Sequence, residues 1–215
     1  MKTALIVGSS GLVGSYLLRF LLENKYYQQV KILVRKPVDL HHPSLVQVIF
    51  NFENPDYSQI IADDIYCCLG TTIKKAGSQS AFRRVDFEYP LDIANSAIKN
   101  GAKNFAIVTA MGSNPKSRIF YNRVKGEVEQ ELEKLPFEKL LILRPSLLLG
   151  PRNESRMGET IGKVVMTAFS LLLPNKIKAI HASQVARCMI ENMQNNVKEI
   201  KIIDSGFMQN FPVVK

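Results

Sequence analysis

"VGSSGLVGS", Val7 to Ser15, places three glycines and three serines between two apolar stretches near the start of the chain. Taken alone, the segment fits a flexible turn, the boundary of a signal peptide, or a loop whose backbone amides touch a pyrophosphate. Its flanks discriminate among these. Ahead of it, "TALIVG" is an apolar, β-branched run that stops at a glycine, the pattern of a buried parallel strand. Behind it, Leu12, Tyr16, Leu17, Phe20 and Leu21 recur at helical spacing. The signal-peptide reading fails because the apolar run breaks at Gly8 to Gly11 and the charges of Arg19 and Glu23 follow soon after. The chain is therefore expected to be mature as it stands and cytoplasmic.

Further along, the same alternation repeats. "VKILVR" and "VQVIFNF" read as second and third strands, and "DIYCCLG" as a fourth that again ends in glycine. "AFRRVDFEYPLDIANSAIKNG" reads as one long helix closed by Gly101, with Pro90 as a local irregularity. "NFAIVT" is a fifth strand, "YNRVKGEVEQELEKL" a helix and "KLLILRP" a sixth strand. Two more helices are expected over Glu159 to Leu172 and Ser183 to Asn192, before a late strand "KEIKIID". Buried-type strands alternating with helices predict an α/β fold, a Rossmann-type doubly wound parallel sheet in one domain over residues 1–215. Residues 151–195 are expected to form a small substrate-covering part.

In that context Gly8, Gly11 and Gly14 lie at the first strand-to-helix turn. Gly8 would allow the tight turn, Gly11 the approach of the backbone to a pyrophosphate, and Gly14 close packing of the helix. Free amides and the positive helix end then face a phosphate. The end of the second strand usually carries an acidic residue where NAD is preferred. Here it holds Arg35 and Lys36, and a guanidinium clamps a 2′-phosphate with two bonds, so the expected cofactor is NADP(H). A solvated basic pair at a strand end is the plainer alternative.

Tyr121 and Lys125 form a Tyr-x-x-x-Lys pair on one helix face after the fifth strand. An ammonium beside a phenol favours the phenolate, so the pair can pass a proton to or from a carbonyl or alcohol oxygen while hydride moves.

The glycine loop, Tyr121 and Lys125 together resemble the short-chain dehydrogenase/reductase superfamily in its atypical or extended branch. More narrowly, "CCLGTTIKKAGS", "RRVDFEYPLDIA", "YNRVKGEVEQEL" and "LRPSLLLGPRNESR" resemble the Tat-interacting-protein-type oxidoreductases and their bacterial relatives, over nearly the whole chain. That resemblance implies NADPH contacts from Ser10, Gly11, Leu12 and Val13, then Arg35 and Lys36, Leu69 and Gly70, Tyr121, Lys125, Leu148 and Arg156. Two positions depart from the pattern. Typical members have a serine after the fifth strand; "IVTAMGS" offers Thr109 or Ser113 and places Ala110 at the expected site. Extended members often carry an asparagine in the preceding helix, where this chain has Asp86.

Other residues carry weaker signals. Adjacent Cys67 and Cys68 sit in an apolar strand and read as buried structure, and three cysteines in this arrangement suit neither a disulfide framework nor a zinc site. His41 and His42 lack partners at ligand spacing. His181, just ahead of a helix start, is a candidate for lining the cleft. "TAFSLLLP" reads as core or a homodimer face, and no apolar run reaches the roughly 18 residues that span a bilayer. The formal charge is +9, but basic residues are scattered without a block of five, which argues against a nucleic-acid partner.

The function expected is an NADP-dependent oxidoreductase acting on a small carbonyl or alcohol substrate, with Tyr121, Lys125 and Thr109 as catalytic residues and no metal. Two alternatives stand beside it, an NADPH-binding sensor with little turnover and a nucleotide-sugar epimerase.

Overall fold

The computed structural model describes residues 2–151 and 177–214. Its centre is a seven-stranded sheet, all parallel: β1 (Lys2–Val7), β2 (Tyr27–Val34), β3 (Leu45–Ile49), β4 (Asp64–Cys67), β5 (Asn104–Val108), β6 (Lys139–Arg144) and, late in the chain, β9 (Ile200–Asp204). The spatial order is β3-β2-β1-β4-β5-β6-β9. This is the doubly wound arrangement, with the order reversing between β1 and β4. A separate two-residue ladder joins β7 (Leu148–Leu149) to β8 (Ile180–His181).

Strand side chains alternate between the two faces, so the sheet divides the core in two. Ala4, Ile6, Ile32, Tyr66, Ala106 and Leu141 face α1 (Leu12–Glu23) and α6 (Ala182–Gln194). Leu5, Val7, Ile65, Phe105, Leu140 and Ile142 face α4 (Tyr89–Lys99) and α5 (Phe120–Leu132). The placement of α6 corrects one expectation. Residues 182–194, assigned from sequence to a substrate-covering part, instead pack beside α1 under the sheet, with Val185, Ala186, Cys188 and Met189 fully buried. Lys139 at the start of β6 holds this helix in place, its ammonium donating to the Asn192 and Met193 carbonyls at 3.0 and 3.1 Å. A cation on those last carbonyls satisfies acceptors that have no partner within the helix. The helix expected over Glu159 to Leu172, the segment "TAFSLLLP" and Arg156 lie outside the described residues.

The long helix expected from residue 81 to 101 is three joined pieces: α3 (Gln79–Arg83), a π turn (Arg84–Glu88) and α4. Pro90 has no N–H to return to the Asp86 carbonyl four residues back, so the ladder cannot continue unbroken there. Instead the Tyr89 amide donates to the Arg84 carbonyl, five residues back. Such π turns occur often at functional sites, and this one carries Asp86. Before it, α2 (Ile73–Ala76) is capped by the Thr72 hydroxyl and α3 by that of Ser78.

Because every strand of the main sheet is parallel, the loops that follow β1, β2, β4, β5 and β6 all emerge at one edge. Gly8 and Gly11 after β1, Arg35 and Lys36 after β2, Leu69 and Gly70 after β4, and Thr109 and Ser113 after β5 lie on these loops. Among the described residues no helix is long and apolar enough to cross a membrane.

Candidate active site

Close backbone packing builds the glycine loop. Gly8 has φ +87°, a left-handed value that favours glycine. A Cβ there would lie 2.7 Å from both the carbonyl carbon and oxygen of Cys68, so the loop after β1 rests directly on the end of β4. At Gly14 a Cβ would come within 2.1 Å of the Gly8 oxygen, so the first turn of α1 packs onto the loop itself. Gly11 is different. Its backbone is ordinary extended chain (φ −76°), and a Cβ would meet the Gly8 oxygen at 3.2 Å, which is tight but not prohibitive. Gly11 opens α1 with no side-chain cap, so the first-turn amides, at Leu12 and Val13, are left for an anion. Leu12 also meets the turn after β7, where a Cβ on Gly150 would lie 2.9 Å from its side chain.

Arg35 and Lys36 follow the last residue of β2, the strand beside β1, and both are exposed. Leu69 and Gly70 continue from β4 against Gly8, and Gly70 leads into a buried ion pair. There the Lys125 ammonium lies 2.7 Å from a carboxylate oxygen of Asp86, with the two side chains 5% and 0% exposed. The other Asp86 oxygen accepts the Thr71 N–H at 2.9 Å. A Cβ on Gly70 would sit 3.5 Å from Asp86 Oδ1 and 3.8 Å from Lys125 Nζ, so the pair is packed beneath this turn.

Burial pulls the Lys125 ammonium toward its neutral form. The Asp86 carboxylate, with smaller contributions from Tyr121 and Cys67, offsets that, and the group is held above its ordinary value of 10.5. A raised lysine adds stability that is complete below its unfolded value and is lost as pH rises through the folded one. Unfolding measured in urea should therefore show this contribution intact at pH 9 and falling above pH 10.5. A variant lacking both charges, Asp86→Asn/Lys125→Met, should show a smaller decline over the same interval.

Tyr121 stands one turn before Lys125 on α5, half-buried, its ring centroid 5.5 Å from that of Phe82. Phe82 is fully buried on α3, so it fixes the ring. The helix that bears the pair is itself located by a glycine, since a Cβ on Gly126 would fall 2.2 Å from the backbone nitrogen of Pro115. The Asn114 amide donates to the Asn122 carbonyl at 3.0 Å. The loop after β5 thus lies flat on the first turns of α5. Lower on α5, Arg144 at the end of β6 forks onto buried Glu129, at 3.1 Å from Nε and 2.5 Å from Nη2.

The hydroxyls offered as a third member are engaged elsewhere. Thr109 is 5% exposed and donates to the Leu143 carbonyl at 3.2 Å, while Ser113 donates to the Ala110 carbonyl at 2.7 Å. Thr109 therefore ties β5 to β6, and its proton is not aimed at a substrate. Leu148 sits half-buried in β7, paired with Ile180. His181 caps α6, its Nδ1 2.7 Å from the Ser183 hydroxyl, while its own amide donates to Gln184 at 3.1 Å. Its ring also meets Tyr16 edge-on. Cys67 is buried, which pushes its thiol up to about 11 and away from reactivity. Among the described residues no cluster of His, Cys, Asp or Glu could hold a metal ion.

Sequence reasoning missed the Asp86–Lys125 pair, the Phe82 contact and the role of Gly126. The first two join residues 39 apart in the chain, with no local pattern to announce them. Gly126 did carry a signal, because a glycine inside a helix costs about 1 kcal/mol relative to alanine and so points to a close approach.

The profile of the HIM1 family matches residues 43–179, more than half of the chain. The chain belongs to the HIM1 family. Protein HTATIP2 of Rattus norvegicus is 34% identical over 201 residues, covering 89% of this chain and 81% of that protein. The mitochondrial protein FMP52 of Candida albicans is 31% identical over 201 residues, covering 89% and 88%. Family members named in this way overturn the cytoplasmic expectation: FMP52 proteins from Candida albicans, Eremothecium gossypii and Saccharomyces cerevisiae are all named mitochondrial. In fold, the chain is similar to the UDP-glucose 4-epimerase of Thermotoga maritima, with TM-score 0.70, 17% identity, and 95% of this chain and 77% of that chain covered. The resemblance to HTATIP2-type proteins and to the extended dehydrogenase/reductase fold is thus upheld for this family member.

Proposed function

We propose that this chain is an NADP(H)-dependent oxidoreductase that interconverts a small carbonyl compound and its alcohol. The observation that carries the reading is the charged Lys125, buried with Asp86 beneath the Gly70 turn and one helical turn from Tyr121. Burying an ion pair is costly, and replacing one by apolar residues is often neutral or stabilising, so the fold alone does not call for this pair. A buried ionisable group with a specific charge partner, set beside a loop cleft, is a candidate for the place where chemistry is done.

The residues present fit a dinucleotide. Backbone amides at the uncapped start of α1 suit the pyrophosphate, the Gly8–Cys68 contact leaves no side chain between loop and β4, and Arg35 suits a 2′-phosphate. When bound, the cofactor supplies or accepts the hydride. Tyr121 then gives a proton to the carbonyl oxygen, or takes one from the alcohol, at its phenolic oxygen. Lys125 offers two donors beyond the one that faces Asp86, for a ribose hydroxyl and the phenol. One observation favours the sensor reading as a second possibility. Thr109 and Ser113 are engaged and Ala110 has no hydroxyl, so a donor that commonly holds the substrate oxygen is missing. Losing such a donor costs on the order of 10²–10³ in rate.

A screen of carbonyl compounds and alcohols that follows NADPH absorbance tests the enzyme reading; no turnover with any of them, alongside tight cofactor binding, would leave the sensor. Cofactor choice is tested at Arg35. Arg35→Ala should weaken NADPH by about tenfold or more, because a charge-assisted hydrogen bond is worth roughly 1.5–3 kcal/mol. NADH, which lacks the 2′-phosphate, should change by less than about twofold. Equal losses for the two cofactors in a fluorescence titration would remove Arg35 from the assignment.

A further inference from the structure

We infer that Asp86 is a positioning residue of the Tyr121–Lys125 centre. Its full negative charge keeps Lys125 charged and fixes it beneath the Gly70–Thr71 turn. The geometry is two-pointed. One carboxylate oxygen lies 2.7 Å from the ammonium and the other accepts the Thr71 amide at 2.9 Å, so the group cannot rotate away from either. Asp86 thereby couples three elements: the π turn that carries it, the β4–α2 turn that carries Leu69 and Gly70, and α5 with Tyr121 and Lys125.

Charge makes the difference between this arrangement and one built on an amide. A buried ammonium without a counter-charge moves toward its neutral form, and an amide oxygen supplies only a dipole. Among the described residues, the ionisable groups that act on Lys125 are Asp86 from the π turn, Tyr121 from its own helix and Cys67 from β4. Of these, Asp86 is the one carboxylate, and burial keeps the Cys67 thiol protonated. Glu129, one turn further along α5, is engaged by Arg144. Removing the Asp86 charge therefore takes away the largest interaction that favours the charged lysine, and the ribose-facing donors of Lys125 become sensitive to pH.

The inference rests on the proposed cofactor reading for that last consequence but not for the ion pair. The test uses the full chain with [¹³Cε]lysine, the Lys125 resonance being assigned by its loss in Lys125→Met. In Asp86→Asn the titration midpoint of Lys125 should fall by about one to three units relative to wild type. NADPH affinity of the variant, read by cofactor fluorescence, should drop between pH 7 and pH 9.5, by about tenfold where the midpoint falls by about two units, while that of wild type stays level. A folded Asp86→Asn whose Lys125 titrates as in wild type overturns the inference, because a purely packing role for Asp86 would lower stability alone. If Asp86→Asn does not fold, Asp86→Asn/Lys125→Met, which removes both charges, should fold. A double variant as unfolded as the single one counts against charge compensation. Wild type that fails to bind NADPH at all would sink the cofactor reading, and the Lys125 titration would then decide the ion pair's role by itself.

Discussion

Tyr121→Phe should lower turnover on the best substrate by a factor of about 10² to 10⁴, the usual contribution of a positioned acid or base. NADPH affinity should stay within about twofold of wild type, a margin of roughly 0.4 kcal/mol. The two effects separate because the substitution removes one oxygen and nothing else. The ring remains against Phe82, whose position on α3 is set by the protein core and not by the hydroxyl. Lys125 keeps its ion pair with Asp86, so the buried charge is not stranded. Steady-state kinetics and cofactor fluorescence on the same preparation check both halves. Turnover retained in Tyr121→Phe would remove Tyr121 as the acid/base, and the sensor reading anticipates that result.

Gly14→Ala should be among the most damaging single-methyl additions in the chain. Its Cβ would be placed 2.1 Å from the Gly8 oxygen and 2.9 Å from the Gly8 carbonyl carbon, both backbone atoms of a loop that is itself pressed onto Cys68. Neither side can yield without moving the other. Alanine normally favours a helix by about 1 kcal/mol over glycine, and here that gain is overridden. Overpacking of this kind costs about 1–3 kcal/mol or more, which for a domain of this size lowers the melting temperature by roughly 2–12 °C. NADPH binding should fall by more than tenfold in the protein that remains folded, because the α1 amides are displaced from the loop. Gly11→Ala is the control. At 3.2 Å from the Gly8 oxygen its Cβ needs only a small adjustment, so its melting temperature should stay closer to wild type. Thermal unfolding that ranks the two the other way would show that the loop is not held by the Gly14 contact.

Much of this was legible in the chain because the evidence is local. "TALIVG", "DIYCCLG" and "NFAIVT" each contain enough adjacent apolar residues to demand burial on both faces, and only a parallel sheet covered by helices supplies that. The glycine spacing from Gly8 to Gly14 lies within two turns of chain, as does the i to i+4 relation of Tyr121 and Lys125. Pro90 announced its irregularity, although not that a π turn would result. Residues 182–194 were misplaced for a related reason. An amphipathic helix shows that it has a buried face, but its sequence does not say which layer will bury it.

The sequence by itself determined the alternation of strands and helices, the phosphate-type loop and the helix face that carries Tyr121 and Lys125, since each depends on residues a few positions apart. Tertiary structure alone decided which groups stand beside that pair. Asp86 meets Lys125, 39 positions further along the chain, and Thr109 turns its proton to Leu143 on a neighbouring strand 34 residues away. Both outcomes follow from how the parallel strands stack side by side and how α3, the π turn and α5 pack against one another. A charge's partner is set by distance in space, and burial then makes that partner decisive, because in a site with little water no solvent is available to replace it.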